Sequence, residues 1–217
     1  MVQMNDVRMV YGNTEAEALS GVSFTINEGE FVFLVGPSGS GKTTIIKLIT
    51  GELSPTSGQI TVNGFDMQGI KRRKLPKLRR TLGVIFQDFR LIDKMTVYEN
   101  VAFAMRVVGA SNKEIRRRVP QVLELVGLVD REKRYPAELS GGEQQRVAIA
   151  RALANDAPII FADEPTGNLD RKNGVEVLDL LFGLADESRK TLVIVTHDEH
   201  LARRGDRIIT IMDGQAV

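Results

Sequence analysis

The sequence contains no cysteine and no tryptophan, and only two histidines among its 217 residues. Without cysteine there is no disulfide and no thiolate metal site, and His197 and His200 are too few for a multi-histidine site. The 29 Lys and Arg residues nearly balance the 28 Asp and Glu residues, which leaves a net charge of +1. Such a balance argues against nucleic acid as the main partner, so any basic contact must be a local patch.

Long apolar runs are also missing. Residues 31–35 and 101–105 are the longest, and both are far shorter than the roughly 20 residues that a membrane-spanning helix needs. Residues 1–6 have no charged leader before an apolar stretch, so we expect no secretory signal. With 42% hydrophobic and 26% charged residues, the composition is that of a globular protein with a sizeable core. We expect a soluble, cytosolic chain.

Short apolar runs alternate with longer helical patterns, which predicts an α/β fold with a largely parallel core sheet covered by helices. The predicted core strands are residues 31–35, 82–86, 159–162, 192–196 and 207–212. They are almost continuously apolar, which is typical of strands buried on both faces. The first 30 residues and residues 58–65 instead predict an antiparallel β subdomain.

Residues 96–135 have a helical pattern. Thr96 with Glu99, and Ser111 with Glu114, have the spacing of capping boxes that begin helices. Pro120 lies inside the second helical stretch, where we expect a kink or a restart. Together the patterns predict a single domain over residues 1–217. It comprises a core with a β subdomain at about 1–87 and 156–217, and a helical subdomain at about 88–155.

A phosphate-binding loop is the strongest motif. Residues 36–43 match the pattern G-x-x-x-x-G-K-[ST] between a predicted strand and a predicted helix. Glycines let the backbone amides converge on phosphate oxygens, and the helix adds the positive end of its dipole. We expect Lys42 to reach the β and γ phosphates and the Thr43 hydroxyl to bind Mg²⁺. The candidate nucleotide-binding residues here are Gly36, Ser38, Gly39, Ser40, Gly41, Lys42, Thr43 and Thr44.

Two adjacent carboxylates follow the apolar strand at residues 159–162. Ligands of open α/β sheets gather at the carboxyl ends of strands, which favours a role for both acids. We expect Asp163 to hold Mg²⁺ through its water shell and Glu164 to accept a proton from an attacking water. The alternative is a solvated turn before Pro165.

A third capping box, Ser140 with Glu143, begins another helix. Gly141 and Gly142 leave the first-turn amides uncovered, so this helix start is a second candidate anion site. Residues 139–146 here resemble the LSGGQ signature of the ABC-type ATPases. In that family the signature contacts the γ-phosphate held by a second subunit, so the resemblance implies an ATP-induced homodimer with two composite sites.

The resemblance covers essentially the whole chain and implies roles for further residues. By it, Tyr11 stacks on adenine, and Gln87 links the Mg²⁺ site to a membrane partner. Asp170 belongs to the loop that crosses the dimer, and His197 acts as the switch histidine on the γ-phosphate. The implied activity is ATP hydrolysis used as a conformational switch. Its implied catalytic residues are Glu164, His197, Lys42 and Gln87, and its metal ligands are Thr43, Gln87 and Asp163.

Within the ABC ATPases, residues 36–44, 86–91 and 139–151 look like those of the FtsE family. Its members act in cell division, pair with the integral membrane protein FtsX and signal to cell-wall hydrolases. The resemblance implies an FtsX-like partner, association with the division machinery, and a peripheral location on the cytoplasmic side of the cell membrane. Two alternatives stay open: the ATPase of a lipoprotein-releasing or macrolide or peptide exporter, and an ATP-gated scaffold with incidental turnover.

A basic segment occupies residues 71–80. Its ten positions hold seven cations: Lys71, Arg72, Arg73, Lys74, Lys77, Arg79 and Arg80. Near a membrane partner such a segment could meet anionic head groups. A solvated basic face is the alternative.

Overall fold

Two sheets with different strand directions organise the chain. The computed structural model describes residues 2–12, 17–188 and 190–217, and of residues 186–188, 199 and 200 it describes only the backbone. Met1 and the His200 side chain, both considered above, therefore lie outside the described set. The strands are β1 (Val2–Val10), β2 (Glu17–Ile26), β3 (Phe31–Val35), β4 (Ser57–Val62), β5 (Phe65–Asp66), β6 (Leu82–Ile85), β7 (Ile159–Asp163), β8 (Thr191–Thr196), β9 (Arg207–Met212) and β10 (Gln215–Ala216).

Helices connect most of these strands. They are α1 (Lys42–Ile49), α2 (Leu75–Arg79), α3 (Val97–Val107), α4 (Asn112–Leu125), α5 (Gly141–Leu153), α6 (Arg171–Ser188) and α7 (Glu199–Ala202), with short 3₁₀ turns at Arg72–Lys74, Val129–Arg131 and Pro136–Glu138. The six-stranded sheet has the order β10-β9-β3-β8-β7-β6, in which β9, β3, β8, β7 and β6 are parallel. This confirms the predicted α/β fold.

The central strands are buried on both faces, as predicted. In β3, Phe33 and Val35 pack with helices α3 to α6, whereas Val32 and Leu34 pack with α1 and the antiparallel sheet. Successive side chains of a strand point to opposite faces, so one apolar run supplies both halves of the core. The antiparallel sheet has the order β2-β1-β4-β5 and confirms the predicted β subdomain.

The predicted capping boxes begin α3, α4 and α5, each with both reciprocal hydrogen bonds present. Of the kink or restart expected at Pro120, the restart is wrong, because α4 runs from Asn112 to Leu125 without interruption, and the kink stays a prediction. An interior proline costs about 3 kcal/mol. The buried side chains of Ile115, Val119 and Val122 lie on both sides of it, and burying each contributes roughly 1.5–3 kcal/mol. Packing therefore keeps the two halves in one helix.

The parallel register brings the strand ends together. Val35 lies opposite Thr196, and Asp163 lies opposite Val195. The loop after β3, the acids at the end of β7 and the histidine after β8 consequently meet at one edge of the sheet.

Candidate functional site

A cavity of about 790 Å³ opens at that edge. Its size is typical of a small-molecule site. It is lined by Tyr11, Ala18, Pro37, Ser38, Gly39, Gly41, Lys42, Thr43, Thr44, Gln87, Asp163, Glu164, Gly167 and His197. Most side chains singled out in the sequence are therefore brought together, although they come from six separate segments.

The loop before α1 is shaped by glycines at positions where a side chain does not fit. A Cβ at Gly36 would lie 2.1 Å from the carbonyl oxygen of Ile211, and one at Gly41 would lie 2.7 Å from that of Ala18. Gly41 also has φ +108°, in the region that favours glycine. Gly36 and Ser40 do not line the cavity, and the Ser40 hydroxyl is buried. They fix the course of the loop.

Helix α1 begins at Lys42 without a side-chain cap. Its first helical hydrogen bond runs from Ile45 N to Gly41 O, so the preceding amides have no partner within the helix. Uncovered amides at a helix N-terminus, together with the helix dipole, favour an anion. The loop is thus built as an anion site facing the cavity.

The Lys42 ammonium is held over this loop. Its Nζ donates to the carbonyl oxygens of Gly36, at 2.7 Å, and Pro37, at 2.8 Å. Burial lowers the pKa of Lys42, and the carboxylates of Glu164 and Asp163 oppose that shift. Among the residues that the structure describes, the Lys42 ammonium donates to neutral carbonyls and forms no ion pair, so an anion entering the cavity gains a charged donor without breaking one.

The two acids after β7 differ in their surroundings. Burial and the neighbouring Glu164 raise the pKa of Asp163, against the opposing effect of Lys42 and Arg90. Glu164 has a positive φ of 44°, and its amide donates to Val195 O at 2.9 Å. This turn directs its Oε1 to within 2.9 Å of Nδ1 of His197. This contact fixes the orientation of the imidazole, whose ring is mostly exposed.

Tyr11 and Gln87 reach the cavity from two other loops. The Tyr11 hydroxyl lies 3.0 Å from Thr44 Oγ1, which places the ring beside the start of α1. The carbonyl oxygen of Gln87 accepts a hydrogen bond of 2.8 Å from Asn168 Nδ2. Gln87 is thereby tied to the segment that follows the acid pair, a contact that the sequence did not predict.

The sequence also did not predict a role for Arg151. Its guanidinium donates to the carbonyl oxygens of Phe89 and Arg90, the former at 2.7 Å. Phe89 and Arg90 both have positive φ, 56° and 48°, which costs roughly 1–2 kcal/mol for each non-glycine residue. Arg151 therefore stabilises an unfavourable turn just after Gln87. Nothing in the local sequence marks either the turn or its partner 61 residues away.

Ser140, Gly141, Gly142 and Asp170 do not line the cavity. The Ser140 amide and hydroxyl donate to Glu143 Oε2, both at 2.9 Å, and Arg131 Nε donates to Glu143 Oε1 at 2.9 Å. Asp170 Oδ1 instead accepts the amide of Asn173 at 3.0 Å, at the start of α6. These candidates form a second surface, distinct from the cavity of the same chain.

Comparison with known proteins identifies this arrangement. A family model described as "ABC transporter" matches residues 19–167. The chain belongs to the ABC transporter family of ATPases. Over 99% of its length, this ABC ATPase is 46% identical to the cell division ATP-binding protein FtsE of Bacillus subtilis, covering 93% of that protein. It is 47% identical to the FtsE of Escherichia coli over 91% of the chain and 89% of that protein.

A solved structure supports the same assignment. The ABC ATPase matches a dimeric, post-hydrolysis state of the ATP-binding cassette MJ0796 bound to ADP and Pi, with 42% identity and a TM-score of 0.90. The match covers all of this chain and 96% of the other. The expected family, fold and ATPase activity are confirmed, with ATP as the substrate. Within the described residues, no helix of this ABC ATPase is both long and apolar enough to cross a membrane.

Proposed function

We propose that this ABC ATPase is the nucleotide-hydrolysing subunit of a membrane complex in cell division. By this proposal, ATP binding and hydrolysis drive a conformational change in an FtsX-like integral membrane partner, which in turn regulates cell-wall hydrolases. Relatives named FtsE, 44–47% identical over nearly the whole chain, support the division role. The observation that carries the mechanism is the convergence of Lys42, Glu164 and His197 on one cavity, while Ser140 lies outside it.

In the proposed complex the triphosphate lies across the start of α1. The free amides there and the Lys42 ammonium bind the β and γ phosphate oxygens, while Ser38 and Gly39 border the loop. Replacing neutral carbonyl partners by phosphate strengthens the hydrogen bonds of Lys42, because the acceptor then carries a negative charge that attracts the ammonium. By this proposal Tyr11, which is 40% exposed beside Thr44, stacks on the adenine.

Thr43, Gln87 and Asp163 would hold a hydrated Mg²⁺ with the nucleotide. A hydroxyl, an amide and a carboxylate supply the oxygen ligands that this ion prefers, with water and phosphate completing its shell. The raised pKa of Asp163 fits the role, because a nearby cation restores the ionised form that burial disfavours. When bound, the ion offsets charge on the phosphate oxygens.

Glu164 is proposed as the general base. Its carboxylate accepts a proton from the water that attacks the γ-phosphorus, while the bond to the bridging oxygen of ADP breaks. By this proposal the ring of His197, which is oriented by Glu164, contacts the γ-phosphate. A positioned base contributes typically 10²- to 10⁴-fold in rate.

A second copy completes the site in this proposal. The start of α5 carries the N-cap serine Ser140 and two glycines, all outside the cavity of their own chain. An isologous dimer places each such helix start against the γ-phosphate bound by the other copy, with Asp170 near the same interface. The dimeric state of MJ0796, which is 42% identical to this chain, supports dimerisation.

The membrane partner is proposed to bind beside the loop at Phe89 and Arg90. A groove of about 590 Å³ there is lined by Ile92, Phe103 and Val107 together with arginines. Phe103 is 41% exposed and Val107 is 63% exposed, so the groove presents apolar surface to a partner. Binding there would hold the ATPase at the cytoplasmic side of the cell membrane.

The decisive experiment pairs two variants. Glu164→Gln keeps the shape of the side chain but removes the base, so with ATP we expect it to form a stable dimer in sedimentation and to lose at least 100-fold in turnover. Lys42→Ala should bind ATP poorly and stay monomeric. A Glu164→Gln protein that retains full turnover would refute the role of the base, and one that binds ATP yet stays monomeric would refute the composite site.

The division role needs a separate test. We expect the tagged wild-type chain to co-purify from membranes with an FtsX-like protein identified by mass. Isolation with an exporter subunit instead would favour the lipoprotein or macrolide alternative. If the trapped Glu164→Gln dimer supported division in place of the wild type, nucleotide occupancy would suffice and the chain would act as a scaffold.

A further inference from the structure

The basic segment, residues 71–80, concentrates positive charge in one short stretch of the chain. It holds seven cations and no acid, so the residues outside it carry a net charge of −6 although the whole chain is at +1. Elsewhere the chain pairs many of its exposed arginines. Arg131, Arg134, Arg146 and Arg204 each contact a carboxylate within 3 Å.

The cations of the basic segment are not neutralised in this way. Within the described parts of the chain, six of them form no side-chain hydrogen bond or ion pair: Lys71, Arg72, Arg73, Lys74, Lys77 and Arg80. All six are exposed. Like charges at this density repel one another and weaken the fold slightly. The segment is therefore arranged to meet negative charge from outside the chain.

The backbone under these cations is firmly anchored. Leu75 and Leu78 pack into the core shared by α1 and the antiparallel sheet, and Leu78 is fully buried. The seventh cation, Arg79, donates from Nε to the carbonyl oxygen of Thr50 at 3.1 Å. The 3₁₀ turn and α2 are thus fixed to the core, and the remaining cations point from them into solvent.

The position of the basic segment indicates what kind of partner its cations bind. Pro76, Arg79 and Arg80 line the same groove as Phe103 and Val107, the groove assigned above to the membrane partner. The segment itself has no aromatic side chain on which a nucleic-acid base could stack. Charge beside a groove that binds a membrane protein matches the anionic surface of a bilayer better than it matches RNA or DNA.

We propose that the basic segment binds anionic phospholipid head groups of the membrane that holds the partner subunit. The proposal rests on the proposed function only for the orientation of the groove. Each Lys or Arg near an anionic surface strengthens binding by about five-fold, and the effect falls off within a Debye length. The contact is accordingly a weak, salt-sensitive second attachment that orients the ATPase beneath the bilayer.

The test is vesicle flotation of the full chain without nucleotide or partner. We expect binding to phosphatidylcholine vesicles that contain phosphatidylglycerol, no binding to pure phosphatidylcholine, and release by high salt. Replacing Lys71, Arg72 and Arg73 by glutamine should weaken the binding on the order of 100-fold. The matched control replaces Lys113, Arg116 and Arg117 by glutamine. These are exposed cations on α4, and their loss makes the same change in net charge, so this variant should bind like the wild type.

Other outcomes would overturn the proposal. Equal losses in both triple variants would mean that only net charge matters. Binding to polyglutamate but not to anionic vesicles would indicate an acidic protein as the partner, and full competition by inorganic phosphate would indicate a free anion. Because the assay needs neither ATP nor dimerisation, its failure is distinguishable from failure of the proposed function, which the Glu164→Gln dimer reports.

Discussion

Replacing Ser140 with alanine separates a structural helix cap from a functional one, because the chain contains an internal standard. Ser111 at the start of α4 makes the same capping box as Ser140 at the start of α5. Each serine Oγ accepts the amide of the glutamate three residues later at 3.3 Å. In both boxes the backbone amide of the serine in turn donates a hydrogen bond to the carboxylate of that glutamate. Ser140 and Ser111 therefore make the same capping hydrogen bonds within one chain.

The two substitutions should cost similar stability. Loss of a serine N-cap costs about 1 kcal/mol, which for a chain of this size lowers the melting temperature by about 2–4 °C. Only Ser140 also faces the partner's phosphate in the proposed dimer. A hydrogen bond to a charged group contributes about 1.5–3 kcal/mol, and the isologous dimer contains two. Ser140→Ala should therefore weaken ATP-dependent dimerisation by roughly 10²- to 10⁴-fold.

The assay is sedimentation of both variants in the Glu164→Gln background with ATP, with melting temperatures measured alongside. We expect similar melting temperatures but a dimer only for Ser111→Ala. Equal weakening of the dimer by the two substitutions would mean that helix stability alone matters. An unaffected dimer in Ser140→Ala would refute the placement of this helix start against a phosphate.

Two further predictions concern Arg151 and Asp163. Arg151→Met removes both donors from the turn at Phe89 and Arg90. Amide hydrogen exchange of residues 87–91 should therefore accelerate, while ATP binding is kept. The control is Arg134→Met, which removes an arginine from an exposed ion pair with Glu138. For Asp163, a folded-state pKa above the ordinary value means that the ionised carboxylate destabilises the nucleotide-free protein at neutral pH and ceases to do so below pH 3.8, the ordinary value for this carboxyl. Asp163→Asn should therefore raise the melting temperature at neutral pH, lose that advantage in acid, and lose the stabilisation given by ATP with Mg²⁺; a lower melting temperature at neutral pH would contradict this sign.

The parts of the fold that were predictable are those in which one local pattern decides the outcome. The run at residues 31–35 is a strand with those same bounds, and the prediction for 159–162 falls one residue short of β7. Continuous β-branched and aromatic residues are typical of a strand buried on both faces, and the phosphate loop has a fixed spacing. In both cases the interactions that matter lie within a few residues of one another.

What the sequence did not reveal depends on contacts between distant residues. The helix through Pro120 survives because side chains of other elements pack against both of its halves. The turn at Phe89 and Arg90 contradicts the local preference of both residues and is stabilised by Arg151. The link between Gln87 and Asn168 spans 81 positions. A pattern confined to a short window contains none of these partners.

Helix α5 connects the two surfaces that the proposed function needs. Its first turn carries the Ser140 cap, and its last turn carries Arg151, which binds the carbonyl oxygens of the turn beside the partner groove. Eight of its 13 residues are buried, so it moves with the surrounding core rather than bending on its own. A helix of this length spans about 20 Å. If a phosphate of a second copy binds Ser140, as the proposed function requires, we expect any shift of this helix to move Phe89 and Arg90 with it. Arg151→Met should therefore leave ATP-dependent dimerisation intact while it uncouples ATP binding from any movement at the groove.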